Sequence, residues 1–410
     1  MNKIELLAPA GSLEKAKIAF LYGADAIYAG TSKLSLRTRA EMGSDDLKDT
    51  IEYAHSIGKK AYVAMNIYAR DEEYDEIIEQ TKILKELKPD AIIIADGGIV
   101  DIVKKYAPEI PIHISTQANI VSSHSANFWR KNGASRVILA RELHKSHIKS
   151  IIDNTPEDFE TEIFVHGAIC FGYSGRCYLS NYLANRSSNL GDCAQSCRWE
   201  YNVYVEENKK PGALMPVEYD EKGTYIFSSK DLCLMNELPE IIDMGVASLK
   251  IEGRLKTTYY LATVINAYRH AIDAYYENPE NWNAKPYFNE LLKTKTRGIT
   301  TFYFNDKDNQ DIQDYSGVQK NIEWEHGAVV INTDEKGITT LEIKNRLQLG
   351  DLLEIILPNK IKPHEYIIDN MYDYETNEKI EFVNPGVQGQ KVKIRLPIEV
   401  EEGYIIRRKR

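Results

Sequence analysis

The sequence predicts a (β/α)8 TIM-like barrel followed by a small antiparallel β-barrel, and three patterns carry that reading. Short apolar runs alternate with amphipathic helical stretches over the first two thirds of the 410 residues. Eight such units in roughly 275 residues match the size of an eight-stranded barrel, whereas a doubly wound sheet of about six strands leaves two unplaced. Beyond about Asn305 the pattern turns to alternating strands with tight turns.

The eight strands are expected at Ile4–Leu7, Ala26–Tyr28, Lys60–Ala64, Ala91–Ile94, Ile112–Ser115, Arg136–Leu139, Glu162–Val165 and Ser248–Ile251. All are short and apolar, as strands covered on both faces should be. Ser12 is a suitable N-cap and Gly23 a stop for a helix over Leu13–Tyr22; Gly58 and Gly133 close two more. The seventh unit departs from the repeat over 167–245, and all five cysteines lie there. A long insertion after a barrel strand belongs on the face where active sites gather. The domains are therefore 1–300 for the barrel with its insertion, 301–324 for a linker, and 325–410 for the small β-barrel. In the last of these, His326–Ile331 and Ile338–Ile343 flank a turn at Asp334-Glu335-Lys336-Gly337, and strands are expected at Leu352–Leu357 and Gln390–Leu396. Barrels of that size serve RNA binding, packing or dimerisation.

Composition narrows the class. The chain is 43% hydrophobic with a net charge of −10. Its opening residues lack a basic segment followed by an apolar one, and no apolar run is long enough to cross a bilayer. A soluble cytoplasmic protein with no membrane partner is expected. The acidic balance excludes a general nucleic-acid coat but leaves room for a local RNA site. The basic run Arg407-Arg408-Lys409-Arg410 reads as a solvated terminus rather than an RNA contact.

Cys170, Cys177, Cys193 and Cys197 follow the spacing C-x6-C-x15-C-x3-C. In a reducing compartment such a set binds metal or does redox chemistry rather than forming disulfides. Only the last pair resembles a zinc knuckle, and irregular spacing suits the corners of a cubane, so a [4Fe–4S] cluster and Zn both stand, the cluster ahead. Gly172, Gly175 and Gly191 would let backbone N–H groups approach the sulfurs, and Arg176 and Arg198 could offset their charge. Cys233 sits among apolar residues and reads as a small buried hydrophobe.

Strand C-termini carry the remaining candidates. Asn66, Asp96, Ser115 and Gln117, Arg141 and Glu142, His166, and Lys250 with Glu252 and Arg254 follow successive strands. Arg141 and Arg254, with Arg37 or Arg39, could each grip a carboxylate or phosphate through two parallel hydrogen bonds, which suits a small dicarboxylate. His166, Glu252 and Asn66 are the candidates for chemistry, although a lone histidine beside a glycine is more often structural. Arg141, Arg254, Gln117 and Lys250 are the candidates for substrate binding.

At these residues the chain resembles the U32 family, long called peptidase U32 (collagenase-like). The matching segments are Leu6–Gly11, Gly23–Gly30, Ser115–Gln117, Arg141–Leu143, Glu162–Ser180, Asn189–Tyr201 and Leu249–Arg254. The block HGAICFGYSGRCYLS is the most specific of them. The resemblance implies prephenate-dependent formation of 5-hydroxyuridine at the wobble position of a tRNA anticodon loop, working alone or beside a shorter U32 paralogue. Relatives hydroxylate a cytidine of 23S ribosomal RNA, or carry a [4Fe–4S] cluster and support ubiquinone hydroxylation. Carried over, Cys170, Cys177 and Cys193 match cluster ligands; Cys197 matches a ligand in some relatives, with Cys233 in reserve. Two other readings stand beside this one. One is the historical peptidase, for which no nucleophile–base–acid set is recognisable. The other is a zinc-stapled, non-catalytic RNA-binding scaffold.

Overall fold

The computed structural model describes residues 3–31, 34–35, 41–170, 172–174, 177–188, 192–199, 201, 203–206, 211–212, 214–217, 229–296, 298–305, 323–386 and 389–410, with backbone only at 41, 198, 203–205 and 214–217. Eight parallel strands form a closed barrel: β1 Glu5–Pro9, β2 Ala26–Thr31, β3 Lys60–Met65, β4 Ala91–Ile94, β5 Ile112–Ile114, β6 Ala134–Ile138, β7 Glu160–Ala168 and β8 Ser248–Ile251. Each pairs with the next in sequence, and β8 closes the ring by pairing with both β1 and β7. Runs such as Ala91–Ile94 form strands because both faces are covered, and every residue of that run is buried. A helix follows each strand, from Leu13–Leu21 after β1 to Thr258–Glu277 after β8.

The punctuation works as the sequence predicts. The Ser12 hydroxyl accepts the Lys15 N–H at 3.2 Å, and Gly23 sits at φ +101° past the end of that helix. The excursion is shorter than 167–245. Strand β7 runs on to Ala168, and the chain returns as Asp231–Cys233, antiparallel to its end. Leu238 and Ile241 of the following helix are buried in the barrel core. Apolar burial therefore ends the excursion by about residue 230. Phe302 and Phe304, at the start of the expected 301–324 linker, are buried in the apolar cluster that includes the barrel core. Most of the expected 301–324 linker lies outside the described residues.

The C-terminal module is antiparallel, and among the described residues seven of its nine strands pair along an open path, a half-barrel, while Leu347–Gln348 and Phe382–Val383 pair with each other. The expected hairpin is Trp324–Thr333 with Thr339–Ile343. Its turn is held by the Asp334 carboxylate, which accepts N–H groups of Lys336 at 2.9 Å and Ile338 at 2.8 Å. The reading of the basic run as a solvated terminus holds for the exposed Lys409 and Arg410 but is overturned at Arg407. Ile405–Lys409 is an interior strand between Leu352–Ile356 and Trp324–Thr333. Arg407 has 0% exposure and pairs with Glu290 at 2.6 Å and with Glu354. Alternation of inward and outward positions along this strand turns Arg407 into the interior, which the charge run concealed.

The module has a core of its own, built from residues such as Val330, Leu341 and Ile355, and one face of it packs on the barrel. Val329, Ile356 and Ile405 pack into the barrel's apolar cluster. Tyr22, fully buried, donates its hydroxyl proton to the Ile356 carbonyl and accepts the Ile405 N–H, both at 2.9 Å. Among the described residues no helix is long and apolar enough to cross a membrane.

Candidate active site

The C-terminal ends of the strands surround a cavity at the barrel mouth. Asn66 follows β3, Ser115 and Gln117 follow β5, Arg141 follows β6, and Lys250, Glu252 and Arg254 belong to β8 and its loop; all line the cavity. Six of the seven residues proposed from sequence for chemistry or substrate binding therefore meet in one place. The Asn66 amide donates to Ser115 Oγ at 3.4 Å and to Gln117 Oε1 at 3.1 Å, forming a polar rim. Tyr28 and Phe164 supply an aromatic floor that sequence reasoning missed; only their inward positions on β2 and β7 could have signalled it.

Cations lie on that floor. The Arg141 guanidinium stands 4.5 Å from the Phe164 ring centre and donates to the Ala168 carbonyl at 3.2 Å. Lys250 Nζ is 4.3 Å from the Tyr28 ring, and Arg254 lies 5.9 Å from it. The guanidinium of Arg254 donates to Ser35 Oγ at 3.2 Å and crosses β2 at Gly30. A Cβ there would stand 2.3 Å from Arg254 Nη1 and 2.2 Å from Ser35 Oγ, so glycine makes the space. Glu252 accepts the Tyr28 hydroxyl at 3.2 Å. Arg37 and Arg39 lie outside the described residues.

Beneath the floor the barrel interior is ionic. Arg136 Nη1 binds Glu5 at 2.6 Å and Glu162 at 3.0 Å, and Lys250 Nζ binds Glu162 at 2.7 Å. Burial lowers the Lys250 ammonium, with Glu162 pulling the other way. Lys250 is thus both a lining residue and half of a buried pair.

His166 departs from the site. The β7–β8 register steps by one residue between Lys250 and Ile251, so Phe164 pairs with Lys250 and His166 with Ile251. That bulge turns His166 away from the cavity, between the rings of Tyr260 and Tyr268 at 6.0 and 5.6 Å. Burial pushes its imidazole down to about 4. A neutral histidine that titrates higher when unfolded stabilises the fold fully above pH 6.5, and this contribution is lost as pH falls toward 4. It amounts to at most about 3 kcal/mol. Urea unfolding at pH 7 and pH 5 should show a steeper loss in the parent than in His166→Gln. Equal losses would remove His166 as the source. Asp96 is a helix cap, accepting the Gly98 N–H at 2.8 Å.

The excursion is tied to the mouth by Glu142, whose carboxylate accepts the Ser174 N–H at 2.7 Å. Cys170, Cys177, Cys193 and Cys197 are half-buried and in no disulfide. Cys193 Sγ accepts the Gln195 N–H at 3.3 Å. A Cβ on Gly172 would stand 2.8 Å from the Cys177 Cβ, a close backbone approach to one sulfur-bearing residue. Four such thiols are a donor set for soft metal, although among the described residues no three His, Cys, Asp or Glu side chains are gathered at ligating distance. Cys233 is different: fully buried, its thiol raised to about 12 by burial and 3.9 Å from the Tyr268 hydroxyl. Gly175, Gly191 and Arg176, and the Arg198 side chain, lie outside the described residues.

Comparisons with known proteins agree with this architecture. The profile of peptidase family U32 matches residues 11–314, and that of the peptidase family U32 C-terminal domain matches 323–407. The tRNA hydroxylation protein P1 of Bacillus subtilis is 38% identical over 92% of this chain and 89% of its own. The tRNA hydroxylation protein P of Escherichia coli is 38% identical over 87% of both. The 23S rRNA 5-hydroxycytidine C2501 synthase of Escherichia coli is 35% identical over 67% of this chain and 40% of its own. With both domains matched in order and relatives alike over nearly the whole length, the chain belongs to peptidase family U32.

Proposed function

We propose that the protein is an RNA-hydroxylating enzyme acting on C5 of the wobble uridine of a tRNA anticodon loop. Prephenate is its co-substrate, and Cys170, Cys177, Cys193 and Cys197 hold a [4Fe–4S] cluster. The observation that carries this reading is the convergence of Asn66, Gln117, Arg141, Lys250, Glu252 and Arg254 on one mouth, in a chain related over most of its length to tRNA hydroxylation proteins.

The residues suit the chemistry. An anticodon-loop base is unpaired and can enter a pocket without breaking a duplex. The Asn66 and Gln117 amides offer both donors and acceptors to the uracil edge. Arg141 and Arg254 would each take one carboxylate of prephenate. Replacing C5–H by C5–OH with the oxygen of water gives up two electrons, to an acceptor of the redox system, and two protons; Glu252 lies on the lining, where its carboxylate can take one of those protons. The cluster, when bound, supplies redox capacity that zinc lacks. His166 has no part, because it faces away. The peptidase alternative is weakened: among the described residues no histidine lines the mouth, and Ser115 Oγ is engaged by Asn66 and by the Gln117 N–H.

The test is wobble-uridine analysis in a strain lacking the gene and any shorter paralogue. 5-Hydroxyuridine should disappear, return with the parent gene, and persist unchanged only if the reading is wrong. In that background Arg254→Ala should reduce 5-hydroxyuridine at least about tenfold while leaving bound iron unaltered, the loss of one charge-assisted grip. A fall in iron instead would place Arg254 in the support of the excursion.

A further inference from the structure

A second cavity opens beside the first, where the β8 loop and the first turn of helix Thr258–Glu277 meet the C-terminal module. Lys256, Thr257, Tyr259, Lys295, His326 and Arg410 are among the residues lining it. We infer that this cavity is a ribose–phosphate subsite for single-stranded RNA, holding a nucleotide that flanks the one in the barrel mouth. The inference deepens the RNA reading above and rests on it.

Charge is the first support. The chain carries a net −10, yet this wall collects Lys256, Lys295 and Arg410. Its acidic member, Glu325, is already neutralised by Arg408 at 2.9 Å and Arg410 at 2.7 Å. Lys295 is exposed and has no ion-pair partner among the described residues. The first turn of a 20-residue helix adds amide N–H groups and the positive end of its dipole. A phosphate answers all of these.

An orphaned polar atom points to the sugar. His326 stacks on Tyr259 with rings 22° from parallel, and its Nε2 is buried without a hydrogen-bond partner. Burial, with the nearby Lys344 charge, lowers the imidazole to about 3, so the ring stays neutral and one nitrogen can accept a proton donor. A ribose 2′-hydroxyl is such a donor, and it is the group that separates RNA from DNA.

Position gives the register. Arg254 lines the mouth and Thr257 lines this cavity, and three residues span at most roughly 10 Å of chain. That separation suits a neighbouring nucleotide and not a distant arm of a folded RNA.

The experiment uses the full chain and a synthetic anticodon stem-loop RNA, with its all-deoxy counterpart. Lys256→Glu together with Lys295→Glu should weaken RNA binding at least about tenfold at low salt and flatten the salt dependence by about one to two units of log–log slope. His326→Ala should lose the preference of RNA over DNA while keeping that salt slope. Unchanged RNA affinity in the double variant, or a parent protein that does not bind the stem-loop, overturns the subsite. Equal binding of RNA and DNA by the parent overturns the ribose contact. The two readings fail separately: a strain that loses 5-hydroxyuridine on gene deletion but regains it fully with the double variant keeps the function and loses the subsite.

Discussion

Arg136→Leu should destabilise the fold by about 3–5 kcal/mol, the cost of stranding buried charge after removing one partner. Arg136 is the hub under the floor, with a side chain 3% exposed, and Glu162, which it binds, has 0% exposure. Lys250 would still hold Glu162, but Glu5 would keep the neutral Tyr62 hydroxyl at 2.6 Å and Ser248 hydroxyl at 2.9 Å and, as its remaining cation, the exposed Lys60 at 3.9 Å. Urea unfolding of the parent and variant measures it, and a loss below about 1 kcal/mol would show that water or a shifted proton relieves Glu5. The pH profile gives an independent reading. Burial alone would raise the Glu5 carboxyl, yet the charge and hydrogen bonds of Arg136 hold it below 4.5. Its contribution is therefore present above pH 4.5 and lost as pH falls through the lowered value, and Arg136→Leu should abolish that acid-side loss.

Cys177→Ala should remove brown colour and 5-hydroxyuridine together. One missing thiolate opens a corner of a cubane to solvent, and the remaining three cannot close it. Cys233→Ala is the matched control and should keep both, because that thiol is buried on the returning strand Asp231–Cys233 against Tyr268 and held in its protonated form. Anaerobically purified protein, read by visible absorption and by iron and zinc content, decides between outcomes. Colour retained in Cys177→Ala means another ligand set. Colourless parent protein with one equivalent of zinc favours the stapled scaffold instead.

The barrel was legible because its strands are buried on both faces, so each reads as a short apolar run bounded by Gly or polar residues. Mouth residues were legible for a related reason: a polar side chain just beyond such a run has nowhere to point except the open end. The ionic layer was not, since Glu5, Arg136 and Glu162 look like ordinary strand edges until the ring closes and brings β1 across to the neighbouring β6 and β7. His166 misled because alternation along β7 points it inward, and a one-residue bulge, invisible in the sequence, points it out. Arg407 misled in the opposite sense, its burial hidden by three charged neighbours in sequence. In the excursion the cysteines announced themselves, but without periodicity the chain gave no guide to where it returns.

Gly30 offers a diagnostic that needs no crystal. Since a side chain at that position would crowd the place of the Arg254 guanidinium, a family member bearing alanine or larger there must hold this arginine differently, and with it the anion grip proposed above. A single column of a sequence comparison can thus sort relatives by whether they retain this grip, before their co-substrates are known.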